Sequence, residues 1–451
     1  MSVPPQSLPR EPRRQRVGEL PAMLPTRYGA LQGALSFLAL PLYVFLPAYM
    51  TRAASMPLAS IGAVLFASRV LDALTDPALG RLADRALRAG RGFGLIVAAS
   101  VPMLGGFVLL MGLPQLLHEP RHPLAFDALL GAALALTYAG FSAASITHQA
   151  WGTMLAAHDS ARARLFARRE ALGLLGVLLA AVVTQLGGPR GDVLVFAACL
   201  AAALWLLRRV PRGSAALAQP VRPGARRAAL APLRQPAFRR LLAIGVVNGV
   251  AASLPATLVL FFIRDRIGAP GAAGLFLFLY FSCAALAAPL WARAVRRVGA
   301  APAWLGGMLA TAAVFVAAAA LHAGDSGRYA LVCAASGAML GADLVLPPTL
   351  LAGLIGRLGH ARQLEGAYFG LWNLAAKLTL ALAAGIALPA LAWLGYTPGT
   401  PSRGPLPALV LAYCVLPSAL KLIAAAMLWL GWMRPDSDPH AFDTTHRRQA
   451  Q

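Results

Sequence analysis

The chain has 451 residues, of which 58% are hydrophobic and 13% charged, with a mean hydropathy of +0.65. A soluble globular domain carries about 25% charged residues, so the composition points to a bilayer as the solvent and excludes two or three soluble domains. The net charge of +23 suggests nucleic acid as a partner, but the basic residues form no single patch and fall in short groups between apolar runs.

Those groups alternate. With the N-terminus taken as cytoplasmic, 30 of the 40 Lys and Arg lie in segments on that side, 7 on the other and 3 within spans. This is the positive-inside bias of a multi-pass protein. It predicts an inner (plasma) membrane protein with both termini in the cytoplasm and an even number of spans. The lipid bilayer and a small-molecule substrate are the expected partners, and nucleic acid is not. Apolar runs of about 20 residues are long enough to cross. They predict twelve spans, near 28–50, 57–80, 92–113, 123–152, 169–187, 191–209, 238–262, 270–292, 300–322, 329–355, 365–395 and 406–432.

Residues 1–27 are polar and rich in Pro and Arg, without a cleavable signal peptide, and read as a disordered cytoplasmic tail. Span one has no acidic residue. Span two carries Arg69, Asp72 and Asp76. At 100° per residue the two carboxylates lie about 40° apart, and Arg69 falls within about 60° of both. A single charge at mid-bilayer costs roughly 2.5–3.5 kcal/mol on insertion scales, so this face must meet a polar interior. Pro77 has no N–H and releases the Ala73 carbonyl one turn back. Thr75 adds a hydroxyl. Two carboxylates, a carbonyl and a hydroxyl fit a hard cation. The carboxylates could equally share a proton, or form a salt bridge that only fixes packing.

Span two is followed by Gly80-Arg-Leu-Ala-Asp84-Arg85, then Arg88 and Arg91. Span eight is followed by a similar basic turn at 293–297. Asp84 and its neighbouring arginines read as a latch on the ends of other helices, or as topogenic charge alone. His148, Gln149 and Trp151 cluster near the cytoplasmic part of span four, as substrate or gating residues or as hydrogen-bonded core. Cys199, Cys283, Cys333 and Cys414 all fall inside apolar runs, without ligand-like spacing.

Residues 210–236 are basic and rich in Pro and Ala, and they divide the chain into six spans and six. This predicts one bundle over 28–209, a cytoplasmic linker over 210–236, a second bundle over 237–432 and a tail over 433–451, with a site at the midplane. In span ten, Asp343 is followed by Pro347-Pro348, which predicts a broken helix lining a cavity. Lys377 of span eleven lies about 18 Å past Glu365, too deep to snorkel readily. A buried lysine wants a carboxylate partner, and those of span two are the candidates. Lys421 lies within span twelve, and the sequence assigns it no role. No phosphate-binding loop, zinc spacing or nucleophile elbow occurs. The expectation is therefore no enzyme, no resident metal or cofactor, and no direct use of ATP.

The run from Arg69 through Asp72, Thr75, Asp76, Pro77 and Gly80 to Asp84 resembles the second-helix motif of the glycoside–pentoside–hexuronide:cation symporters, a family of the major facilitator superfamily. Gly341-Ala-Asp343-Leu with Pro347-Pro348, and Tyr368-Phe-Gly-Leu-Trp372-Asn373 through Lys377, are similar to its tenth and eleventh helices. The resemblance implies an all-α fold of twelve transmembrane helices in two six-helix bundles. It implies symport of a small solute, a sugar or glycoside, coupled to Na⁺ or H⁺ by alternating access in a monomer. Asp72, Asp76 and Thr75 would hold the cation, with Arg69 and Lys377 as charge partners. His148, Gln149, Trp151, Asp343, Trp372 and Asn373 would line the substrate pocket. Gly80, Asp84 and Arg85 would form the gating motif. The chain departs from the family in lacking an acid in span one, and in carrying Ser142 and Ser145 in span four. A proton-coupled exporter of an amphiphilic or lipid-like compound is the alternative on the same fold.

Overall fold

The computed structural model describes residues 21–46, 49–50, 58–116, 123–156, 158–211, 225–393 and 406–433. The expected tail as far as residue 20, linker residues 212–224 and the tail from 434 onward lie outside them. Among the described residues there is no strand.

The helices are α1 (Leu24–Leu40), α2 (Leu58–Arg88), α3 (Gly92–Leu116), α4 (Pro123–Leu155), α5 (Asp159–Leu207), α6 (Pro236–Phe261), α7 (Ala273–Val298), α8 (Ala300–Ala319), α9 (Ser326–Arg357) and α10 (Glu365–Trp393). The last, α11, is Pro407–Met433, with π-helical turns at Leu411–Val415 and Trp429–Met433. α1 begins within the expected tail, because Pro25 stands in its first turn, where a proline costs no hydrogen bond. α5 has 49 residues and breaks at Gly188, whose φ of 56° and ψ of −160° are not helical. At 1.5 Å per residue it is about 70 Å long, enough for spans five and six in succession.

Eight of the described helices are long and apolar enough to cross a membrane by length and composition. α2, with its three mid-helix charges, is not among them. The apolar side chains that remain outside, such as Phe66, Leu74, Leu186 and Leu194, face outward from the bundles. In a soluble protein such a surface would aggregate; in a bilayer it is the lipid-facing wall.

One correction concerns span ten. Pro347 and Pro348 do not break α9, which runs unbroken through both. Proline's fixed φ is itself helical, so the helix loses the two N–H donors and their hydrogen bonds but keeps its path. The Thr349 hydroxyl donates to the Val345 carbonyl at 2.7 Å just beyond.

α1 packs along α5, and α4 lies against α2 and α3, which gives one bundle. α9 packs on α7 and α8, and α6 on α10 and α11, which gives the second. The longest contacts between the bundles are α2 with α10 and α5 with α7. Close approach of α2 to α10 depends on small residues, as helix packing in lipid generally does. A Cβ placed on Gly80 would stand 2.2 Å from the Gly366 carbonyl oxygen.

At that crossing Asp84 accepts hydrogen bonds from the Gly366 N–H at 2.6 Å and the Ala367 N–H at 3.0 Å. These are first-turn N–H groups of α10, which have no partner within their own helix, and the positive end of its dipole favours an acid there. Arg88 donates to the Gln363 carbonyl at 2.5 Å, while Arg85 is exposed. Asp84 thus meets the backbone end of a helix in the other bundle. Residues 81–91 and Arg362 share this end, so the two bundles are joined at the Arg-rich end of the molecule. Asp84 lies past the end of span two, and its burial pushes the carboxyl up to about 8 despite those backbone donors.

Candidate cation and substrate site

At mid-depth the crossing of α2 and α10 holds the charged face of α2. Asp72 and Asp76 are buried, and Asp76 is 0% exposed. Lys377 of α10 stands between them, its Nζ 2.8 Å from Asp72 Oδ2 and 2.8 Å from Asp76 Oδ1. It also donates to Ser142 Oγ of α4 at 2.9 Å, and Ser142 in turn donates to Asp72 Oδ1 at 2.7 Å. All three N–H donors of the ammonium are therefore used. Thr75 turns its hydroxyl to the Asp72 carbonyl at 2.9 Å. Asp76 Oδ2 is buried with no hydrogen-bond partner. Arg69 sits on the exposed side of α2, beside Tyr138 of α4. Lys377, rather than Arg69, lies between the two carboxylates.

The arrangement has one ammonium against two carboxylates, with one acceptor atom left over. A proton or a metal cation arriving at Asp76 would compete with Lys377 for the same oxygen atoms. Among the described residues, no three of His, Cys, Asp and Glu gather as ligands for a resident metal ion.

A second buried cluster lies wholly inside the bundle of α6–α11. Lys421 of α11 is 2% exposed. Its Nζ is 2.5 Å from Asp343 Oδ2 and 2.8 Å from Asn248 Oδ1. Asp343 also accepts from Asn248 Nδ2 at 3.1 Å and from Trp304 Nε1 at 2.9 Å. Sequence reasoning left Lys421 without a role. Its partners are 78 and 173 residues away, and no local spacing reveals them. A third pair, Arg169 and Glu170 of α5, is buried at 2.5 Å, and Arg169 reaches Gln32 Oε1 of α1 at 2.6 Å.

Between the bundles lies a cavity of about 400 Å³. One bundle contributes Gln149, Arg169 and Glu170 to its wall; the other contributes Asn248, Trp304, Asp343, Trp372 and Asn373. Four of the six residues expected to line a substrate pocket, Gln149, Asp343, Trp372 and Asn373, do so. His148 and Trp151 do not. His148 is wholly buried, its Nε2 2.9 Å from the Tyr28 carbonyl and its ring centroid 4.1 Å from that of Tyr28. Trp151 is 2% exposed and packs in the core. Both turn away from the cavity because they lie on the face of α4 that packs against α1 and α5. Arg169, Glu170 and Trp304 went unnoticed in the sequence. Two adjacent opposite charges at the start of an expected span were the only signal for the first two.

No curated protein matches the chain. Solved structures match it in fold. One is a bacterial homologue of the iron transporter ferroportin in the outward-facing state, with a TM-score of 0.66 and 17% identity over 90% of this chain and 98% of that one. Another is the Escherichia coli fucose:proton symporter, with a TM-score of 0.62 and 12% identity over 90% and 98%. The human organic anion transporter MFSD10 gives 0.62 and 18% over 91% and 100%. At such identities the likeness concerns the fold: two helical bundles of the major facilitator type around a central cavity. The family model described as "MFS/sugar transport protein" matches residues 27–431, and the chain belongs to that family of membrane transporters.

Proposed function

We propose that the protein is a secondary active transporter that couples movement of a small solute, sugar-like by family, to Na⁺ or H⁺ through Asp72, Asp76 and Lys377. The observation that carries this reading is the position of Lys377, on one bundle, between two acids on the other. Alternating access requires the bundles to move against each other. An ion pair across their boundary has to break when they do, and an arriving cation supplies the compensation. Binding at Asp76 neutralises or replaces the partner of Lys377, loosens the α2–α10 contact and lets the bundles rock. A buried charge left alone costs several kcal/mol, which links the empty site to one arrangement of the bundles. Thr75 is a further oxygen near a bound cation.

The solute site is the cavity between the bundles. Trp372 offers an aromatic face, and Gln149, Asn373 and Glu170 offer hydrogen bonds, a wall suited to a hydroxyl-bearing solute. Gly80 and Asp84, with Arg85 at the membrane surface, form the gate at the Arg-rich end. We place that end and both termini in the cytoplasm of a bacterial-type inner membrane, on the 30-to-7 bias of basic residues. The state described here is then outward-facing, as the ferroportin homologue and the fucose symporter were solved in outward states. Both walls of the cavity come from one chain, which suits a monomer with bundles over 28–209 and 237–432.

The test is uptake into proteoliposomes across a panel of sugars, with a Na⁺ gradient at uniform pH compared with a pH gradient without Na⁺. One gradient should drive accumulation, and Asp76→Asn should abolish that accumulation while leaving counterflow of the same solute. Coupled accumulation by Asp76→Asn would rule the cation site out.

A further inference from the structure

The bundle of α6–α11 encloses a second cavity, of about 280 Å³, apart from the one between the bundles. Its wall is made by Pro255, Val259, Leu277, Phe281 and Phe315, with polar side chains among them. Those polar groups are largely occupied elsewhere. Thr311 donates to the Gly307 carbonyl at 2.8 Å, Ser336 to the Val332 carbonyl at 2.7 Å, and the hydroxyls of Tyr329 and Tyr413 pair at 2.9 Å. Apart from the Tyr280 hydroxyl and the end formed by Lys421 and Asp343, what the wall presents to the interior is apolar. A cavity of that kind stays dry and takes apolar guests.

One end is different. Lys421 reaches the cavity wall and uses two of its three N–H donors, on Asp343 and Asn248. The third is suited to one acceptor oxygen. At this same end Ala252, Leu340 and Asp343 line both cavities, so the side cavity lies against the central one there. Size also matters. Ligand pockets usually run to about 300–1,000 Å³, so the side cavity alone is small for a whole solute. It holds roughly the volume of nine waters at ~30 Å³ each, the room of one aromatic ring or a short alkyl chain. Together with the central cavity it makes a two-part site.

We propose that this side cavity binds the apolar arm of an amphiphilic substrate, with an acceptor oxygen at the junction held by Lys421 and the polar head in the central cavity. The inference rests on the central cavity being the transport site, and it narrows the solute to one carrying a ring or short chain. The neutral ion pair at the junction favours an uncharged connecting oxygen such as an ether or hydroxyl.

Cys333 lines the side cavity, whereas Cys199 lies on α5 and is not part of its wall. The full-length protein in nanodiscs, with no ion gradient, is treated with N-ethylmaleimide, and alkylation at each cysteine is followed by peptide mass spectrometry. 3-Phenylpropanol, a ring with one acceptor oxygen, serves as the probe and glycerol as the arm-free control. Phenylpropanol is expected to slow alkylation of Cys333 at least about fivefold, as burial of a ring in an apolar site would. It should leave Cys199 unchanged, and glycerol should protect neither. Ser336→Leu or Ala252→Leu, which fill the cavity and its neck, should remove the protection by phenylpropanol. Equal protection of both cysteines, no protection of Cys333 in the wild type, or full protection retained in a folded filling variant overturns the proposal. The assay needs no coupling. Protection of Cys333 together with uptake indifferent to any gradient would overturn the transport reading and leave the side site standing.

Discussion

The protein has two lysine–aspartate clusters of nearly the same chemistry, set in different mechanical positions, with Lys377 a quarter exposed and Lys421 buried. Lys377 meets Asp72 and Asp76 across the boundary between the bundles. Lys421 meets Asp343 within one bundle, with Asn248 and Trp304 completing the hydrogen bonds of the acid. The first cluster has a surplus carboxylate and an unpartnered oxygen, Asp76 Oδ2. The second is balanced, one charge against one, with both Asp343 oxygens engaged. An unbalanced pair across a moving boundary can act as a switch. A balanced pair inside a rigid body can only hold that body together or present a fixed group to a ligand. Charge count and location relative to the boundary, more than burial or distance, separate the two roles.

Removing each lysine in turn should separate the two clusters most clearly. Lys377→Gln is expected to lower gradient-driven uptake by about 100-fold, near the upper end of coupling free energies of ~3 kcal/mol, and to spare counterflow. Lys421→Met is expected to act on folding instead, because it strands Asp343. A stranded buried charge costs about 3–5 kcal/mol, visible as a lower melting temperature in detergent. The double change Lys421→Met with Asp343→Leu should recover most of that loss, since well-packed apolar replacements of buried pairs are often neutral or stabilising. If the double change were no more stable than the single one, Lys421 would not be the static partner of Asp343.

Smaller effects test the gate that the Lys377 cluster is held to control. Gly80→Leu puts a side chain where the Gly366 carbonyl now stands. It should hold the Arg-rich end open, which accessibility of a single cysteine at the gate to a membrane-impermeant maleimide would report. The smallest effect concerns pH. Burial in the α2–α10 contact raises the Asp84 carboxyl to about 8, and separation of the two helices would return it toward its ordinary value of 3.8. The closed state therefore binds the extra proton between those values. Raising the pH from about 4 toward 8 should favour opening by linkage, with no further change above 8, a rise in the same maleimide rate that Asp84→Asn should flatten.

Much of the architecture was legible in the sequence. The apolar runs and the alternation of basic turns located the helices, and even the break in α5 fell between two expected spans. The phase of Asp72 and Asp76 placed both on one buried face, and the depth of Lys377 directed it toward them. Other features were not legible, among them three with a clear physical reason. Pro347-Pro348 reads as a break, but a helix whose neighbours hold it passes through two prolines. His148 and Trp151 read as pocket residues because they sit beside Gln149, yet successive helical residues point 100° apart and only one of three faces the cavity. The partners of Lys421 come from α6 and α9, which no spacing along α11 encodes.

Opening of the gate by a cation that displaces Lys377 would be reported by spin labels at Leu82 and Arg362, on either side of the α2–α10 crossing, in a cysteine-free background. Distances are measured by double electron–electron resonance with and without the coupling cation. The wild type should shift toward longer distances when the cation is added with solute, and Lys377→Gln should give one distribution regardless of cation. The same cation-dependent shift in Lys377→Gln as in the wild type would contradict the account.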